Sequence, residues 1–118
     1  MASEPLNRLV RATVVSLIGL RDVYRSEAAF RQELLVLLLV IPAAWLLTSA
    51  GAERALLIGS WMLVIVVEMV NSAIEAAIDR IGNERHELSR KAKDFGSAAV
   101  FCSIVLSVAV WILVLVSG

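Results

Sequence analysis

Cysteine is nearly absent: Cys102 stands alone in an apolar run. That excludes an internal disulfide framework and any metal site built on a cysteine pair. Charge of one sign is not in excess either, since eleven Lys and Arg balance eleven Asp and Glu. Bulk charge therefore names no partner, and nothing in the chain points to nucleic acid. The first 30 residues hold Arg8, Arg11, Arg21 and Arg25 and no continuous apolar stretch, which argues against a cleavable signal peptide. Low-complexity segments and internal repeats are missing, and the 118 residues read as one domain, 1–118. Neither a GxxxxGK[ST] loop nor a GxGxxG turn occurs, so the common phosphate-cradling motifs are excluded.

What remains is apolar. Hydrophobic residues make up 59% of the chain, and the mean hydropathy is +0.83, far above a soluble domain. A membrane-crossing helix needs roughly 20 mostly apolar residues. Three stretches qualify as spans: 34–52, 55–74 and 98–116. Pro42 interrupts the first and is expected to kink it. Residues 5–25 differ, because Leu6, Val10, Val14, Leu17 and Ile18 recur at helical spacing among arginines. They predict an amphipathic helix lying in the membrane interface, with Pro5 in its first turn. Ser26 is the expected N-cap of a short piece, 27–33. A tight connection is expected over 49–54, and a polar loop over 80–94 with Gly82 as its breaker. Trp45, Trp61 and Trp111 read as packing or interface anchors. The fold class is thus an all-α membrane protein with one interfacial helix and three transmembrane helices.

Orientation follows from Lys and Arg placement. Five arginines precede the first span, Arg54 alone lies in the first connection, five cations lie in the second, and none follow the third. This places the N-terminus and the second connection inside and the C-terminus outside.

The second span carries the informative residues. Its apolar run begins at Ala55 and gives only thirteen residues before Glu68, so a helix that spans must carry Glu68 and Asn71 into the hydrocarbon. An intramembrane carboxylate costs roughly 2.5 kcal/mol or more and marks function by default. At about 100° per residue, Glu68, Asn71, Glu75 and Asp79 share about 80° of arc, a stripe about 16 Å long. Hard carboxylate oxygens suit Mg²⁺, basic residues suit polyphosphate, and a poorly solvated carboxylate suits a general base. Together these are the parts of a phosphoryl transfer. A proton or ion path in a non-enzymatic membrane protein, or a scaffold, accounts for the same stripe at this point.

The runs Glu27-Ala-Ala-Phe-Arg-Gln-Glu33, Glu68-(x)₂-Asn71-Ser-Ala-Ile-Glu75, Asp79-Arg80-Ile-Gly82, His86-Glu87-Leu-Ser89 and Ala92-Lys93-Asp94-(x)-Gly96-Ser97-Ala-Ala99 closely resemble the prokaryotic diacylglycerol kinase family over essentially the whole chain. The resemblance implies a homotrimeric kinase of lipid metabolism in the bacterial inner membrane. Its active site would lie on the cytoplasmic side, with elements from neighbouring subunits. It implies transfer of phosphate from MgATP to diacylglycerol, giving phosphatidic acid. It makes Glu68 the catalytic base and Glu27 and Glu75 the Mg²⁺ ligands. Nucleotide contacts fall on Arg8, Glu27, Glu75, Glu84, His86, Lys93 and Asp94. Substrate contacts fall on Arg8, Arg31, Gln32, Glu33, Glu68, Asn71 and Ser97. A related branch phosphorylates undecaprenol, and the long interfacial helix resembles the diacylglycerol branch more. The sequence departs from the family pattern at Val15, Leu17 and Arg85, where aromatics would be expected, and at Pro42.

Overall fold

In the computed structural model, residues 3–82 and 86–117 are described. Among them the chain folds into four helices: α1 (Glu4–Ser26), α2 (Ala28–Leu47), α3 (Gly51–Ile81) and α4 (Glu87–Ser117). The last three are long and apolar enough to cross a membrane.

Local chemistry sets each boundary. The Ser3 hydroxyl accepts from the Leu6 N–H at 3.4 Å, and Pro5 occupies the first turn, where a missing N–H costs nothing. Glu27 adopts an extended conformation and separates α1 from α2. The Arg31 side chain then closes the end of α1. Its Nη1 donates to the carbonyls of Tyr24 (2.7 Å) and Arg25 (3.1 Å), which a helix end otherwise leaves unpaired. Ser26 is the last residue of α1, not the N-cap expected for it. The piece 27–33 is not separate either, because α2 runs on from Ala28 past Pro42 as one helix.

The first span ends earlier than expected. Thr48 turns extended after Leu47, so the connection is 48–50, and Gly51 begins α3 instead of marking the turn. Arg54 seals this connection. Its Nη2 donates to the carbonyl oxygens of Thr48 (2.8 Å) and Trp45 (3.3 Å). Its guanidinium also lies 3.8 Å from the centroid of the Trp45 ring. α3 stops at Gly82, whose φ of 156° is a conformation that side-chain-bearing residues rarely adopt. The polar stretch expected as a loop to residue 94 is instead helical from Glu87. Arg90 pairs with Glu87 one turn before it and with Asp94 one turn after it, which supports those first turns.

α3 is central, packed against α4 on one side and α2 on the other. Ala44, Leu57 and Val114 form the buried core, flanked by Ile58, Val110 and Trp111. Lipid tails are as apolar as leucine, so burial alone does not hold membrane helices together; close packing and interhelical hydrogen bonds do. Such bonds tie the bundle. Ser60 and Ser107 share one at 3.0 Å. Trp111 Nε1 donates to the Leu57 carbonyl at 3.2 Å, and Trp61 Nε1 to the Glu33 carbonyl at 2.9 Å. α1 stands apart, with no buried residue and with Leu9, Val14, Val15 and Leu17 exposed.

Candidate functional site

Sequence position alone sends Glu68 into an apolar span; packing decides what it meets there. α3 turns Glu68 and Asn71 inward, to 8% and 7% exposure, and α2 turns Glu33 inward beside them. Glu33 and Glu68 are buried neighbours across the α2–α3 seam, and Glu33 Oε1 has no hydrogen-bond partner among the described residues. The Trp61 bond to the Glu33 backbone fixes α2 at that level. One turn along α3 from Asn71, its Nδ2 donates to Glu75 Oε1 at 3.0 Å. One turn further, Asp79 accepts from Lys93 of α4 at 2.7 Å. The stripe read from helical angles thus holds, among the described residues, one bond within α3, from Asn71 to Glu75, and one to α4, from Lys93 to Asp79. Asp79 raises the Lys93 ammonium above its ordinary value, chiefly through that hydrogen bond.

Glu27 sits at the elbow between α1 and α2 and lines a groove of about 600 Å³. The second half of α1 forms one wall, with Ser16, Gly19 and Val23, and α3 the other, with Met69, Ser72 and Ala76. Ser26, expected only as a cap, lines it too. Val15 and Leu17 stay outside the lining and are exposed. A second groove of about 570 Å³ descends the opposite side of the elbow from Tyr24, Arg31 and Gln32 to Leu34, Leu35 and Leu38. Arg31 and Gln32 thus open onto a different surface from Glu33, Glu68 and Asn71.

The remaining expected site residues are more scattered. Arg8 lies exposed near the start of α1, outside both linings. His86 Nδ1 accepts from the Leu88 N–H at 3.0 Å, so one ring nitrogen caps α4. Asp94 accepts from Arg90 at 2.7 Å. Ser97 is exposed. Glu84 and Arg85 lie outside the described residues. Gly96, for which the sequence alone suggests no role, is buried directly against Asn71.

No group of three or more His, Cys, Asp and Glu gathers closely enough to enclose a metal ion among the described residues. The donor types still suit Mg²⁺, which takes one or two carboxylates and fills its other positions with water and phosphate oxygens, and Glu75 is not among the residues that line the groove at Glu27. Glu75 uses one oxygen on Asn71, so the second stays available, and Glu27 offers its carboxylate at the groove.

The family model described as prokaryotic diacylglycerol kinase matches residues 14–115. A diacylglycerol kinase of Escherichia coli (strain K12) is 53% identical over 109 residues, which is 92% of this chain and 88% of that protein. One of Pseudomonas aeruginosa is 46% identical, over 93% of this chain and 89% of its own. One of Haemophilus influenzae is 43% identical, over 90% of each.

Proposed function

Because the chain belongs to the prokaryotic diacylglycerol kinase family, we propose that it transfers the γ-phosphate of ATP to the free hydroxyl of diacylglycerol, giving phosphatidic acid. The single observation that supports this most is Glu68, a carboxylate buried in a membrane-crossing helix and continuous with a polar stripe. The hydroxyl of diacylglycerol lies at the level where the acyl chains begin, and a base for it must lie at that depth.

In this reading Glu68 accepts the hydroxyl proton as the acceptor oxygen forms its bond to the γ-phosphorus. The bond from that phosphorus to the β-bridging oxygen breaks, and ADP leaves. Glu27 and Glu75 hold Mg²⁺, which when bound offsets charge on the phosphates. Asn71 orients Glu75. Lys93 and Asp94, at the first turns of α4, face the nucleotide with His86, Glu84 and Arg8. Glu33 and Ser97, with Arg31 and Gln32, belong to the lipid side. Low access of water at Glu68 restricts ATP hydrolysis. α1 lies in the interface, the site opens to the cytoplasm, and three copies assemble to complete it.

The test is transfer of labelled phosphate from MgATP in mixed micelles, with diacylglycerol and undecaprenol offered together. Label enters phosphatidic acid, and Glu68→Gln lowers turnover by about 10²–10⁴-fold, the usual contribution of a positioned base, at unchanged ATP affinity. Near wild-type turnover in that variant would remove Glu68 from the mechanism. Label in undecaprenyl phosphate would keep the site and change the acceptor.

A further inference from the structure

Asn71 is held in place by something that has no side chain. Its Nδ2 is fixed by the bond to Glu75, but its Oδ1 is buried with no hydrogen-bond partner among the described residues. Shape fixes that end. Oδ1 occupies the space over Gly96 of α4 so closely that a Cβ on residue 96 would lie 2.1 Å from it and 3.2 Å from Asn71 Cγ. The next nearest atom, at 3.8 Å, is also of Asn71. The reverse amide orientation would set Oδ1 against the Glu75 carboxylate, two acceptors face to face. Asn71 therefore has one productive orientation, and it depends on an empty notch in the neighbouring helix.

We propose that Gly96 is a positioning residue for the transfer. By carrying no Cβ it admits the Asn71 amide between α3 and α4, and through that amide it aims the Glu75 carboxylate at a divalent cation. The inference rests on the reading of Glu75 given above. A methyl group at position 96 would clash with the far end of the Asn71 side chain, so the amide must rotate while the helices stay where they are. The expected loss is of cation binding, not of fold. Gly59, within α3, makes the contrast: a Cβ there meets nothing within 4 Å.

The experiment uses the full-length protein in mixed micelles and Mn²⁺ as the probe, an ion that accepts the same oxygen ligands. Bound ion is counted by electron paramagnetic resonance. Wild type, Gly96→Ala, Asn71→Ala, the double variant, Gly59→Ala and Glu75→Gln are compared. Gly96→Ala is expected to weaken Mn²⁺ binding about tenfold, as loss of a ligand-orienting contact typically does. It should raise the Mg²⁺ concentration for half-maximal turnover to match, with wild-type thermal unfolding. Asn71→Ala should do the same, and the double variant should be no worse than Asn71→Ala, because the two act as one unit. Gly59→Ala should bind as wild type does. Wild-type affinity in Gly96→Ala, or multiplied losses in the double variant, would overturn the proposal. If Gly96→Ala does not fold, the double variant must fold, since the obstructing amide is gone; failure there would equally overturn it. No Mn²⁺ binding by wild type, or unaltered binding by Glu75→Gln, would instead remove the ligand reading on which the proposal stands.

Discussion

At the scale of single residues, the polar stripe divides into two regimes. Glu68 and Asn71 are buried among helices, whereas Asp79 and Lys93 meet at the surface, beyond the apolar run that begins at Ala98. The surface pair is the one whose behaviour with pH can be read directly. Lys93 binds its proton more tightly in the folded protein than in the unfolded chain. The pair therefore stabilises fully below the ordinary lysine value and fades as pH rises through the raised one. Thermal unfolding followed against pH should show wild type and Asp79→Asn converging at the alkaline end. Curves that stay parallel there would assign the difference to something other than this proton. The stripe itself was legible in the sequence, because Glu68, Asn71, Glu75 and Asp79 recur at intervals of three and four. Its partners were not. Gly96 reaches Asn71, and Glu33 reaches Glu68, only through packing between helices, and no periodicity within one helix reports that.

At the scale of elements, three apolar runs announced three helices, and the errors lie at their ends. The first run carries no charge through Ala52, so hydropathy extends it past the point where Thr48 leaves the helix. The segment before the third run is polar, and polarity alone suggests a loop. It is the exposed start of α4, laced by Arg90 to Glu87 and Asp94, a pattern of i, i+3 and i, i+4 pairs that argues for helix. Energetically the elements depend on a small core. Leu57 is fully buried between Ala44 and Val114. Leu57→Ala should cost about 2–5 kcal/mol, as cavities in packed cores do. Unfolding in mild detergent measures it, and a loss below about 0.5 kcal/mol would mean the bundle closes over the gap.

At the scale of the whole molecule, little of the surface is used within one chain. Only 17–28% of each apolar window is buried, so lipid or further copies must cover the rest. Mass measured in mild detergent should correspond to three chains of 12.8 kDa, and an active monomer would exclude the composite site. α1 adds an apolar flank with no buried residue, suited to lying on lipid. The turn between α2 and α3 has a consequence for biogenesis. Arg54 spends its guanidinium on two carbonyls at the end of α2 and on the Trp45 ring. An arginine carried bare into hydrocarbon opposes insertion by roughly 2.5–3.5 kcal/mol. One partly paired within its own turn opposes it less, so α2 and α3 can enter the bilayer together as a helical hairpin, before any other part of the chain has folded around them.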